Sequence, residues 1–224
     1  MKKFMQILLI FSLIMVFTLP TQAETDWTFE IFGGTGLNIP LPLTIENTET
    51  GNKLVDNEIV NYSTKPFDGS PYYAWRVARW EKDKAWELQL VHHKIHLNNL
   101  NDYENIDKFS ISHGYNLITA NRAWDKGNYI YRLGAGVILT HPEFNFEDTE
   151  LVQSKGIGGA GFYLDGITAQ AAVAKQYDLT KNIFATTEAM FTASYAKVNP
   201  DDYDYEATVP NSALHILAGL GYNF

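Results

Sequence analysis

The chain ends Leu214-His215-Ile216-Leu217-Ala218-Gly219-Leu220-Gly221-Tyr222-Asn223-Phe224. Leu214, Ile216, Ala218, Leu220, Tyr222 and Phe224 share one parity, while His215, Gly219, Gly221 and Asn223 share the other. Side chains alternate across a strand, so the stretch predicts a β-strand with one apolar face and one polar or glycine face. Working outward, the same period of two marks seven more segments, at about 27–37, 72–81, 85–96, 107–122, 129–140, 160–177 and 183–197, with this last one at about 212–224. The run Gly166 to Lys175, GITAQAAVAK, contains good helix formers and fits a short helix as an alternative. Its alternation of Ile167, Ala169, Ala171 and Val173 with Thr168, Gln170 and Ala172 assigns it to a strand.

The connections between these strands alternate in length. Short turns, Glu81-Lys82-Asp83-Lys84, Asp125-Lys126-Gly127-Asn128 and Asp178-Leu179-Thr180-Lys181-Asn182, alternate with long polar loops at about 38–71, 97–106, 141–159 and 198–211. That pattern predicts an all-β chain: a closed antiparallel eight-stranded transmembrane β-barrel with short periplasmic turns and long extracellular loops. Trp27, Trp80, Trp86, Trp124, Tyr129, Tyr177, Tyr222 and Phe224 fall at the strand ends on the short-turn side, where aromatic rings form a girdle at headgroup depth.

Composition narrows the possibilities further. The 224 residues include no cysteine, which excludes disulfides, zinc–thiolate sites and thiol nucleophiles. Seventeen basic residues stand against 26 acidic ones, so nothing supplies a cationic face for nucleic acid. Residues 1–23 read as a secretory signal peptide. Lys2 and Lys3 precede an apolar run from Ile7 to Leu19, and Thr21-Gln22-Ala23 offers a cleavage site before a barrel domain at 24–224.

With its signal peptide, alternating loops and aromatic ending, the whole mature chain resembles the small outer-membrane β-barrels of Gram-negative bacteria, of the OmpA, OmpX and OmpW type. The resemblance implies a monomer in the bacterial outer membrane, in contact with membrane lipids and lipopolysaccharide. It also implies that Leu220, Tyr222 and Phe224 form the signal read by the barrel-assembly machinery.

Strand parity turns Glu30, Glu87, Glu188, Arg76 and Arg132 inward, with Gln89, Asn116, Gln170 and His215. An eight-stranded barrel has an interior only wide enough for side chains. Those charges are therefore expected to form an ion-pair network that plugs the lumen rather than a conducting path.

Five histidines, His92, His93, His96, His113 and His141, gather toward the extracellular end. Neutral imidazoles there suit Zn²⁺ or Cu²⁺, but His-His-x-x-His is not a metalloprotease pattern, and neither metal nor cofactor is expected. His92 and His113 take the lipid-facing parity and are the candidates for chemistry, if any. Lipid A deacylases carry a His-x-Ser pair on their lipid-facing surface, whereas His113-Gly114-Tyr115 and His93-Lys94-Ile95 have no such serine. Strict alternation also turns Ser110 and Ser112 inward. The acidic loop run Asp202-Tyr203-Asp204-Tyr205-Glu206 lacks the glycine and spacing of a calcium loop and reads as a solvated segment. The expectation is a non-enzymatic barrel acting in envelope integrity or in surface interaction through its loops. The alternative is a lipid A-modifying acyl hydrolase or acyltransferase.

Overall fold

The computed structural model describes residues 25–147, 149–151, 156–200 and 203–224. The expected signal peptide lies outside the described residues. Among those described, one sheet contains β1 (Thr25–Ile39), β2 (Leu41–Asn47), β3 (Lys53–Val60), β4 (Tyr62–Ser63), β5 (Tyr73–Glu81), β6 (Lys84–Leu97), β7 (Ile106–Asp125), β8 (Ile130–Thr140), β9 (Glu143–Phe146), β10 (Thr149–Glu150), β11 (Tyr163–Asp178), β12 (Ile183–Val198) and β13 (Tyr205–Asn223). Eight of them close a ring in the order β1-β5-β6-β7-β8-β11-β12-β13, with β13 pairing back onto β1. Every pairing is antiparallel, so the fold is the closed eight-stranded barrel that the period of two predicts.

The ambiguous run 166–175 is a strand. Gln170 pairs with Gly134 on one side and Thr192 on the other, so two ladders override the helix propensity of its alanines.

Polarity runs opposite to that of a water-soluble protein. Phe29, Ile31, Leu133, Ile167, Phe191, Ile216 and Leu220 stand exposed on the outer wall, while Glu30, Arg76, Glu87, Arg132, Glu188 and Gln89 are buried inside. Closure matters as much as polarity, because a hydrocarbon surround offers no water to any unpaired strand edge.

The lumen is filled in layers. Beside the short turns, Ala78, Ala85, Ala123 and Ile130 pack with Trp80. Trp80 therefore does not belong to the outer girdle: it shares parity with Arg76 and sits under the floor of the lumen.

Above that floor, Arg76 Nε donates to Glu30 Oε2 and its Nη1 to Glu188 Oε2, both at 2.8 Å. Arg132 Nε reaches both oxygens of Glu87 at 3.0 Å, and its Nη1 reaches the same Glu188 oxygen at 2.9 Å. Thr186 donates its hydroxyl proton to the second oxygen of Glu30 at 2.7 Å. The structure thus brings Glu30, Arg76, Glu87, Arg132 and Glu188 into one cluster, each from a different strand.

An amide layer follows, in which Asn121 and Gln170 both donate to Gln89 Oε1, at 3.0 and 2.9 Å. Gly134 makes room for it, since a Cβ there would lie 1.7 Å from Asn121 Oδ1. Next comes an imidazole layer. His215 is held between Tyr72 Oη at 2.7 Å and Thr192 Oγ1 at 2.9 Å, with the His93 ring edge-on at 4.9 Å.

Toward the long loops, the barrel continues into an extension with its own apolar core. Leu43, Ile45, Val55, Tyr62, Phe109, Phe144, Phe146 and Tyr205 are buried together. This departs from the expectation of solvated loops. The last strand begins at Tyr205 rather than near 212, and its first residues pair with β2, which in turn pairs with β3. Tyr203 and Tyr205 alternate into that core, and Glu206 pairs with Lys197 at 2.7 Å. The acidic alternation is therefore the period of a strand; Asp201 and Asp202 lie outside the described residues.

Arg132→Ala is expected to lower the unfolding free energy in detergent micelles by about 3–5 kcal/mol, because Glu87 and Glu188 are then left buried with too few partners. Urea unfolding followed by loss of the compact gel form measures it, and replacing Arg132 and Glu87 together by Met and Leu should return part of the loss. An Arg132→Ala barrel as stable as the parent would contradict the plug.

Candidate functional site

One backbone irregularity creates the site. The ladder between β6 and β7 is regular through His93↔Tyr115, then shifts before Ile95↔Ile111. Gly114 sits in this bulge at a φ of 128°, a conformation that a side chain strains. Four steps of β7 there oppose two of β6, so the two extra residues leave parity unchanged, and only His113, inside the bulge, departs from the alternation. On one side Tyr115, Leu117, Thr119 and Asn121 face the lumen; on the other, Phe109 and Ile111 face the extension's core.

Two expectations fail because counting takes β7 in the wrong phase, whereas Phe109, Ile111, Tyr115 and Leu117 set its inward face on the odd residues. Asn116 turns outward rather than into the lumen, and Ser110 and Ser112 also face the outer side. His92 and His113 remain on that side, where they line a groove with His141.

The groove has a volume of about 980 Å³ and lies against the outer wall at the loop end of β5, β6, β7 and β8. Tyr73, Leu90 and Leu139 form its wall, Pro71 contributes from the first long loop, and Ile157 and Phe162 cover it from the third. Its size and its apolar lining with a few polar groups are those of a small-molecule site.

The polar groups are fixed from behind. Asn116 Nδ2 donates to the Leu139 carbonyl at 3.0 Å, which leaves its Oδ1 to face His92 Nδ1 at 2.8 Å. Nδ1 must then carry the proton, so Nε2 is an acceptor; it has no hydrogen-bond partner among the described residues. Tyr73 stacks on the same ring at 4.9 Å, holding it in place.

At one end of the groove, three elements bring Ser112, His113, His141 and Glu143 together. The ladder between β7 and β9 sets Ser110 opposite Glu143, and the His141 N–H donates to the Gly114 carbonyl at 3.0 Å. Ser112 donates to Glu143 Oε1 at 2.7 Å, and His113 Nδ1 pairs with the same oxygen. Lys108 Nζ takes the other carboxylate oxygen at 2.6 Å.

Partial burial alone would raise the Glu143 carboxyl, but hydrogen bonds from Lys108, Ser112 and His113 outweigh it and hold the group down at about 2. It is a carboxylate throughout the ordinary pH range. His141 is shifted below the usual imidazole range, chiefly by burial and further by the neighbouring His113, whose ring lies 5.1 Å away.

The remaining histidines do not join this cluster. His93 lies on the lumen side with His215, while His96 pairs in register with Ser63 and Ser110. The five-histidine gathering is thus divided by the barrel wall. Ser112, Asn116 and Glu143 are the residues that alternation alone misplaces or leaves unassigned. The apolar odd positions Phe109, Ile111, Tyr115 and Leu117 were the available signal for the phase of β7, and Gly114 for the bulge that turns His113 outward.

No protein-family model and no curated protein matches the chain. Among solved structures, it is similar to Ail, the attachment invasion locus protein of Yersinia pestis, at 13% identity over 90% of this chain and 100% of that one, with a TM-score of 0.41. It is similar to outer membrane protein AlkL, solved in DMPC lipid bilayers, at 11% identity over 92% and 95%, with a TM-score of 0.45. The outer membrane protease OmpT of Escherichia coli is similar at 10% identity over 93% and 99%, with a TM-score of 0.40. The architecture seen in the structure itself is a closed eight-stranded antiparallel β-barrel with an apolar outer wall.

The hydrogen-bond geometry around His92 makes a spectroscopic prediction. Nitrogen NMR of the micelle-embedded protein should show His92 as the Nδ1–H tautomer, and Asn116→Ala should release that preference while the barrel stays closed. An Nε2–H signal in the parent protein would invert the assignment of the groove's acceptor.

Proposed function

We propose that this protein is a non-conducting barrel of the bacterial outer membrane that works on its outer wall, holding acyl chains of an outer-leaflet lipid in the groove between β5–β8 and the third long loop. The observation that carries this reading is a groove of about 980 Å³, apolar in lining, on a wall that faces lipid, with the His92 acceptor set into it. The filled lumen supports the same reading from the other side, since ionic, amide and imidazole layers leave no wide aqueous path. The role is non-enzymatic: lipid contact that serves envelope integrity, with the β-structured extension available for surface interaction. The outward row Leu220, Tyr222 and Phe224 is proposed as the segment read by the assembly machinery, as the resemblance implies.

Native mass spectrometry of protein extracted in mild detergent tests the lipid reading. The parent should retain lipid, whereas Leu139→Glu, which places a charge on the groove wall, should lose it and still migrate as a closed barrel. Equal lipid retention in both would remove the groove from the function.

A second reading, ester cleavage in lipid A, is favoured by one observation: a serine, a histidine and a carboxylate meet beside an apolar groove. Their arrangement is not that of a working relay. Ser112 Oγ lies 3.4 Å from His113 Nδ1, the same ring nitrogen that pairs with Glu143, and its hydroxyl is given to the carboxylate. A relay needs the serine on the opposite ring nitrogen from the acid. The lipid A mass profile should therefore be the same with the parent protein and with Ser112→Ala. Loss of one acyl chain that requires Ser112 would replace the first reading with the second.

A further inference from the structure

His113 on β7, His141 in the connection after β8 and Glu143 on β9 present one ligand atom each within 4.8 Å of one another. We propose that these three residues bind one divalent first-row transition-metal ion, of the Zn²⁺ type, at the loop end of the groove. The donor set is two imidazoles and one carboxylate oxygen, which suits Zn²⁺ and its neighbours and does not suit Ca²⁺ or Mg²⁺, whose sites are built from oxygen alone.

Bonds of about 2.0–2.2 Å place tetrahedral ligands roughly 3.4 Å apart, so the side chains have to close by about an ångström. The His113 side chain, 56% exposed, has the freedom to rotate inward. The backbone beneath needs no such movement, because the β7–β9 ladder and the hydrogen bond from His141 N to Gly114 O already fix the three Cα positions.

The surroundings orient the ligands. Ser112 steers Glu143 Oε1, and Phe162 packs edge-on against the His141 ring at 4.8 Å. Partners of this kind fix ring and carboxylate orientation in metal sites. Lys108 competes for Glu143, but it takes Oε2 and its side chain is 52% exposed, so the pair is weakly held and leaves Oε1 for the ion.

Without the ion, His113 Nδ1 and Glu143 Oε1 are paired with each other. The ion takes the place between them, and because its ligands bind it in their deprotonated forms, protons compete and binding weakens as the pH falls. Three protein ligands leave a coordination position open, the arrangement that distinguishes reactive or ligand-accepting sites from closed structural ones. Both histidines line the groove, so that position is adjacent to whatever the groove holds.

The test uses full-length mature protein without a histidine tag, folded in detergent micelles and stripped with a chelator. Titration with Co²⁺ should give visible d–d bands that saturate at one ion per barrel and vanish when Zn²⁺ is added. His113→Ala, His141→Ala and Glu143→Gln should each weaken Co²⁺ binding at least tenfold, whereas His96→Ala should not. Gel migration with and without heating verifies closure; should Glu143→Gln misfold, the two histidine variants carry the test. The proposal is overturned if Co²⁺ does not saturate near one equivalent, or if closed His113→Ala and His141→Ala barrels bind it like the parent. This site does not rest on the lipid reading: a barrel that binds Co²⁺ yet retains no lipid keeps the metal site and loses the other proposal.

Discussion

The ion-pair cluster in the lumen is the constraint around which the barrel is organised. A membrane offers strands no hydrophobic reason to bury their inner faces, because the exterior is already apolar. Interior polar groups must therefore find each other. Glu30, Arg76, Glu87, Arg132 and Glu188 come from β1, β5, β6, β8 and β12, so the cluster spans the ring instead of joining neighbours alone. Glu188 accepts from both arginines, and a shift of one strand by a single residue would turn its charge into lipid. Register, closure and charge pairing are thus one requirement stated three ways.

From that cluster toward the loops the lumen changes from ions to amides, to imidazoles and then to hydrocarbon. The contacts of these layers are made inside the lumen, and the wall is left as the surface free to meet a ligand. The groove owes its depth to loop structure laid against that wall: Pro71 comes from one long connection, Ile157 and Phe162 from another. Loops that pack on a barrel's outside in this way turn a lipid-facing surface into a concave one.

The regular parts of this architecture were legible because a strand has a period of two and a barrel has only two faces. Glu30 and Glu188 could be placed by counting from their apolar neighbours. Counting failed on β7, where it was started on the wrong phase. Ser110, Ser112 and Asn116 share the outward parity on both sides of the Gly114 bulge, whose two extra residues preserve it, and only His113 departs from the alternation. The loops were obscure for a different reason. Leu43, Ile45 and Val55 lie in polar surroundings in sequence, and become a core only when β2 and β3 meet Tyr205 and Phe146 from distant parts of the chain. Trp80 shows a third failure: an aromatic ring at a strand end fits the girdle or the mouth equally well until its parity is counted against Arg76.

The length of β13 has a kinetic consequence. Its lower part closes the ring against β1, and its upper part supplies the edge on which β2 is zipped, with Tyr205 opposite Asn47 and Ala207 opposite Ile45. The first long connection is synthesised early but has to wait for the last strand before its hairpin can dock. Contacts separated by most of the chain carry the largest loop-closure entropy and form late. The extension is therefore a record of completed insertion: its core consolidates only on a barrel whose first and last strands have already met.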